Sequence, residues 1–327
     1  MKTRLVYIDI AKGFAILCVV FGHILCYDLY GFQQAWSESR LLNFICQFHM
    51  PLFIFLSGLV SPTFIEARSI PADLWKRFRT ILLPGIIIGG IYSLSFSGDL
   101  RFVTNDMKFG YWYLWVLFCY YIILYGINIS LKRMGGSKRN IIIFLLIIFL
   151  LWVINHEYKR LPIDVINTLS LDLIVAYFPY FFIANMVKRY GIQERVFGDS
   201  KVFILAIALW MCSPLLTFSY SNYLTTIASI ISIIYICKMI EKNYKRLKLW
   251  MSYIGTQTLY IYVFHYFAVQ GFKTTCFYDI LPSYSNICWD FLLCILPVTI
   301  CVLFSLFIGR IVQSNPLIMK YVFGKNN

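Results

Sequence analysis

The sequence predicts an all-α fold, a polytopic membrane bundle of about ten transmembrane helices with both termini cytoplasmic. Composition is the first of three observations behind this. Of 327 residues, 60% are hydrophobic and 13% charged, with a mean hydropathy of +0.72. A soluble domain of this length lacks the polar surface for such a composition, whereas membrane spans require it. The apolar residues fall in long runs separated by short polar segments, which is the second observation. The third is charge asymmetry between alternate segments.

The spans are predicted near 7–27, 41–62, 80–98, 111–131, 140–155, 170–187, 202–219, 223–240, 252–271 and 288–311. The first follows MKTR, as a signal peptide's apolar core does, but Asp9 and Lys12 interrupt it and no small-residue cleavage site follows, so it reads as a retained span. Basic clusters at Lys2/Arg4, Arg68/Lys76/Arg77/Arg79, Lys132/Arg133/Lys138/Arg139, Lys188/Arg189/Arg195/Lys201 and Lys238/Lys242/Lys245/Arg246/Lys248 alternate with nearly unmarked segments. With Lys12, Arg310, Lys320 and Lys325 they place 23 of the 29 Lys and Arg on one side; Arg40, Arg101, Lys108, Lys159, Arg160 and Lys273 are the six on the other. The richer side is the cytoplasm, so the protein is expected in the cytoplasmic membrane, multi-pass among membrane lipids. The net charge of +14 is spent on these clusters, which argues against nucleic acid as a partner. The whole chain, 1–327, reads as one membrane-embedded domain, without a soluble domain, long linker or internal repeat of the transporter kind.

The ten cysteines show no C-x-x-C and no metal-ligand spacing with histidine, so no metal is expected. Most lie inside spans as small apolar packing residues. Cys276 and Cys288 flank one outer segment, a spacing open to a disulfide.

Ionisable residues within spans carry the functional signal, because their burial in lipid is costly. Lys12 and His23 share a stripe of the first helix, eleven residues and about 16 Å apart. His49, in QFHMPLF, and His265, in LYIYVFHYF, lie on two further spans, and the topology brings all three histidines to the central-to-outer part of the bilayer. His156, beside Glu157 and Lys159, is a solvated loop residue. Spacing alone leaves two readings of each buried group open: Lys12 snorkels to the inner interface or acts, and His23 bonds a neighbouring helix or acts. Chain-breakers mark the same region. Pro51 leaves the Gln47 carbonyl without its helical donor, and Pro179, Pro214 and Pro297 interrupt other spans.

A neutral imidazole at this depth suits a general base for an incoming hydroxyl, or a nucleophile that carries an acyl group; spacing does not choose. Lys76, Arg77 and Arg79 lie just before Pro84 opens the third span, where paired guanidinium donors suit phosphate or pyrophosphate. Retention of an inner loop is the plainer reading of any single one of these charges.

Four motifs now fall in order. IDIAKGFAILCVVFGH carries Lys12 and His23; FHMPLFIFLSGLV carries His49 and Gly58; YWYLWVLF carries Trp112; IGTQTLYIYVFHYF carries Thr258, Tyr262 and His265. Together, over residues 8–267, they resemble the acyltransferase 3 family of membrane acyltransferases, especially its fucose 4-O-acetylase-like branch. The family's paired-arginine motif meets WKRFRTILLP here, which aligns either as Lys76-x-x-Arg79 or with Arg77 first and Thr80 second.

The resemblance implies an acyl-CoA-dependent O-acyltransferase. Acetyl-CoA is the donor on the cytoplasmic side, and a hydroxyl of an extracytoplasmic glycan or lipid-linked oligosaccharide is the acceptor. It implies His23 as base or acyl carrier with Lys12 beneath it, His49 and His265 placing substrate or stabilising charge, and Lys76, Arg77, Arg79 and Trp112 binding the cofactor. The rival reading is a transporter or flippase for a glycan or small molecule, with a polar cavity and no covalent chemistry.

Overall fold

The structure is a computed structural model and describes residues 5–26, 39–63, 69–98, 102–134, 160–215, 221–272 and 287–325. The predicted span 140–155, His156, Lys273 and Cys276 with its suggested pairing lie outside the described residues.

In chain order the helices are α1 (Val6–Ile24), α2 (Arg40–Cys46), α3 (His49–Val60), α4 (Ile70–Arg77), α5 (Leu83–Ser97), α6 (Trp112–Met134), α7 (Ile163–Leu169), α8 (Leu171–Arg189), α9 (Gln193–Phe197), α10 (Ser200–Met211), α11 (Ser221–Asn243), α12 (Lys245–Thr256), α13 (Thr258–Phe272), α14 (Ile287–Ser314) and α15 (Pro316–Tyr321). Strands are absent among the described residues. Seven helical stretches there are long and apolar enough to cross a membrane: Val6–Ile24, Arg40–Val60, Ile70–Ser97, Trp112–Ile129, Leu171–Arg189, Ser221–Asn243 and Ile287–Ser314. The protein is therefore an all-α, polytopic membrane protein.

Four expectations change in detail. The seventh span, predicted at 202–219, is a 12-residue helix, α10, that gives way to a 3₁₀ turn at Ser213–Leu215, where Pro214 cannot continue it. The ninth, predicted at 252–271, is two helices broken at Gln257. The third begins at Ile70 rather than near residue 80, so Lys76, Arg77 and Arg79 sit on the helix and not in a loop ahead of it. Pro84 therefore does not open that span. Its missing N–H is accommodated just after a π-helical turn, Phe78–Leu82, where the Leu83 N–H reaches back to the Phe78 carbonyl. Finally, Pro179 and Pro297 lie within helices that run on through them instead of interrupting them.

The described residues gather into two compact units, Met1–Leu56 with Tyr190–Ile311 and Ser57–Arg189 with Val312–Asn327. In the first unit α1 is largely buried, from Ile8, Ile10 and Ala11 to Val19, Val20 and Ile24. Its most extensive partner is α12. Gly13 and Gly255 allow that approach: a Cβ at Gly13 would strike the Met251 carbonyl, and one at Gly255 the Asp9 carbonyl. In the second unit, Gly85 and Gly89 of α5 are covered by Leu114 and Phe102, so this small-residue face is filled within the chain.

Candidate active site

Two sets of polar side chains stand out, one in each unit. In the first, α1 and α13 bring His23 and His265 into direct contact. His23 Nδ1 lies 2.8 Å from His265 Nε2, a hydrogen-bonding distance, with the ring planes 6° apart. His265 is fully buried, and its Nδ1 lies 3.0 Å from the Ile261 carbonyl one turn back. A carbonyl only accepts, so that Nδ1 carries the proton. With both rings neutral, His265 Nε2 is then an acceptor, and His23 must donate to it through Nδ1–H. The remaining nitrogen of His23, Nε2, presents its lone pair. The Tyr266 hydroxyl donates to it at 3.1 Å. The acceptors thus assign both tautomers.

His49 completes the histidine set. Its Nδ1 donates to the Ile45 carbonyl at 2.9 Å, which leaves Nε2 as an acceptor. The break between α2 and α3 places it. The Gln47 carbonyl, deprived of a helical donor by Pro51, is taken by the Thr226 hydroxyl of α11 at 3.1 Å. Lys12 lies on the same helix as His23, half-buried and three turns away, beside the close approach at Gly13.

In the second unit the basic cluster divides. Arg77 is built into a niche. Its Nε donates to the Asp73 carboxylate at 2.9 Å and to the Tyr125 hydroxyl at 2.9 Å, and its guanidinium carbon lies 3.8 Å from the centre of the Tyr121 ring. Tyr125 and Asp73 are also hydrogen-bonded to each other. Among the described residues neither Nη group of Arg77 has a hydrogen-bond partner, so the end that forks onto carboxylates and phosphates is available. Arg79 points elsewhere: its Nη2 donates to the Lys320 carbonyl at the end of α15, at 2.8 Å. Gly324, with φ +61°, packs against it, and a Cβ there would come within 2.6 Å of the Arg79 Cβ. Lys76 is exposed. Trp112 is buried and stacks on Tyr177, ring centres 5.1 Å apart.

Lys108 shows what a structural cation looks like in the same unit. It is fully buried, and its ammonium donates to the carbonyls of Asn105, Asn167 and Thr168 at 2.7, 3.0 and 3.0 Å. Burial pushes its amine down to about 8. All three N–H groups are spent, so Lys108 latches a loop and offers a ligand nothing.

Of the residues singled out in the sequence, the structure joins His23 with His265 and builds Arg77 into a niche, while His49 bonds one turn back, to Ile45. It does not gather Lys76, Arg77 and Arg79 into one cluster. Sequence reasoning missed Tyr266, Asp73, Tyr121 and Tyr125. Asp73 precedes Arg77 by four residues on a helix, and that spacing was the available signal; the tyrosines required the topology.

Comparison with known proteins places the chain in a family. The acyltransferase 3 family, described as an acyltransferase domain, matches residues 5–306. The nodulation protein NolL of Mesorhizobium japonicum is 30% identical over 219 residues, 62% of this chain and 54% of that protein. NolL of Sinorhizobium fredii is 26% identical over 132 residues, 37% of this chain and 36% of its own length. The chain thus spans about half or less of the curated relatives it matches. No solved structure matches. With the family match covering nearly the whole sequence, the chain, a multi-pass membrane protein, belongs to the acyltransferase 3 family.

Proposed function

We propose that the protein is an O-acetyltransferase of the cytoplasmic membrane that moves an acetyl group from cytoplasmic acetyl-CoA to a hydroxyl of an extracytoplasmic or lipid-linked glycan. The observation that carries this reading is the aimed lone pair of His23 Nε2, which already accepts from a hydroxyl, that of Tyr266. A base for an alcohol needs this arrangement: one nitrogen held in a fixed tautomer, the other facing an O–H. As the acceptor oxygen attacks the thioester carbonyl, its proton passes to Nε2. The C–S bond then breaks, and the thiolate takes the proton to leave as free CoA. The Nδ1–H···Nε2 bond to His265 spreads the charge that His23 holds between these steps. The acyl-carrier alternative uses the same atom, Nε2, as nucleophile. The niche of Arg77 supports the donor half of the reading, since its open fork suits a CoA phosphate.

Sealed vesicles of known orientation, given labelled acetyl-CoA on one face, test it. Label is expected on glycan of the opposite face, with CoA thiol released on the donor face. Transfer that requires donor and acceptor on the same face would reject the vectorial scheme, and the absence of both labelled acceptor and thiol release would reject acetyl-CoA as donor.

A further inference from the structure

The hydroxyl of Tyr266 stands where the reacting hydroxyl has to stand. It occupies the lone pair of His23 Nε2 at 3.1 Å, and that is the one imidazole nitrogen of the pair not committed to the Ile261–His265–His23 chain of hydrogen bonds. Tyr266 follows His265 directly in α13, so the residue that fixes the tautomer of His23 and the residue that covers its base are consecutive. The tyrosine is buried, and its ring lies 4.7 Å from that of His23 and 4.2 Å from that of His265. Its hydroxyl donates to that lone pair and so occupies it.

We infer that Tyr266 guards the catalytic base: its hydroxyl covers His23 Nε2 until an acceptor hydroxyl displaces it, and so keeps water from the thioester. The inference rests on the reading of His23 as the base. Without the guard, a water at Nε2 gives up its proton to the imidazole while its oxygen attacks the thioester carbonyl. The C–S bond breaks, and acetate and free CoA form with no acceptor present. Exclusion of water from an acyl donor is a recognised task of transferase sites. The same displacement taxes the acceptor by one hydrogen bond, so removing the guard should tighten apparent acceptor binding.

Tyr266→Phe removes only the hydroxyl, and two measurements on the full-length protein in nanodiscs test the idea. The first is carbethoxylation of His23 by diethyl pyrocarbonate, followed by mass spectrometry, which reads access to the lone pair without turnover. The rate at His23 should rise at least about threefold in Tyr266→Phe, the factor of an ordinary lost hydrogen bond, while His265 stays slow. An unchanged rate at His23 overturns the guard. The second is thiol release from acetyl-CoA without acceptor, which should rise by a similar factor in Tyr266→Phe and vanish in the double variant with His23→Ala. A loss of release would instead make the tyrosine a proton relay and reject the guard. Faster carbethoxylation with no thiol release in any variant, even with methanol as a minimal acceptor, would uphold the covering of Nε2 and sink acetyl-CoA as donor.

Discussion

In the first unit an imidazole is oriented by a partner 242 residues away in sequence; in the second, a charged fork is oriented by a partner four residues away. The arrangement is otherwise parallel. His23 spends Nδ1 on His265 and presents Nε2, and Arg77 spends Nε on Asp73 and Tyr125 and presents its Nη groups. In each case the non-reacting atom is fixed so that the reacting one points in one direction. The partners differ as the proposed tasks do. A base must gain and lose a proton, and its orienting partner is a neutral imidazole tethered to a backbone carbonyl. A phosphate-binding group must stay charged, and its partner is a carboxylate. The local pair can form as soon as α4 forms, since residues four apart share a helix face. The distant pair exists only when α1 and α13 are packed in register, so it is the more vulnerable to errors of packing.

The largest effect should follow from removing the aimed lone pair itself. His23→Ala is expected to lower turnover by about 10²–10⁴, the range for loss of a general base, with protein level and folding retained. His23→Asn separates the alternatives: it keeps a hydrogen-bonding side chain but has no basic nitrogen, so a purely structural His23 would recover near-normal turnover. Thiol release in membranes carrying each variant reads the outcome, and retained turnover in both removes His23 from the mechanism.

Next in size is a change that touches neither partner but shifts the helix carrying one of them. Gly255→Ala should gain up to about 1 kcal/mol of helix propensity, yet its methyl group would strike the Asp9 carbonyl of α1. Overpacking costs about 1–3 kcal/mol, and backbone is the neighbour least able to yield, so the clash wins. The expected result is a lower thermal midpoint in nanodiscs together with reduced turnover, as α1 is pushed off α12 and His23 moves with it. Gly90→Ala, whose new methyl would meet nothing within 4 Å, is the control and should leave both unchanged or slightly improved. Equal behaviour of the two variants would show that the α1–α12 approach does not set the His23 position.

These contrasts also mark what was legible in the sequence. Periodicity and length located most spans because lipid demands long apolar helices, and the cost of intramembrane charge singled out His23, His49 and His265. The role of Pro51 was legible as well, since a missing N–H implies an orphaned carbonyl; the identity of its new donor, Thr226, was not. The break at Gln257 and the π turn at Phe78–Leu82 escaped because each alters the backbone hydrogen bonding over a single turn and leaves no mark on composition. The tautomer of His23 was out of reach, because it depends on which helix lies opposite. In the basic cluster, composition gave three equivalent candidates, and only the placement of Asp73, Tyr121 and Tyr125 distinguishes one.

That distinction yields the smallest expected effects and the sharpest ordering. If Arg77 binds a CoA phosphate through its open Nη groups, Arg77→Gln removes a charge-assisted pair and should weaken acetyl-CoA binding by roughly tenfold or more. Asp73→Asn keeps the guanidinium but loosens its aim, and should cost less, about two- to fivefold, on the scale of one hydrogen bond. Arg79→Gln should change affinity least, because that guanidinium is committed to the Lys320 carbonyl and its loss is felt first in the docking of α15. Titrating acetyl-CoA into each purified variant, with thermal unfolding alongside, orders the three. An affinity loss for Arg79→Gln equal to that for Arg77→Gln, at unchanged stability, would mean that the ligand draws Arg79 off the α15 carbonyl, and the two arginines would then have to be read as a pair.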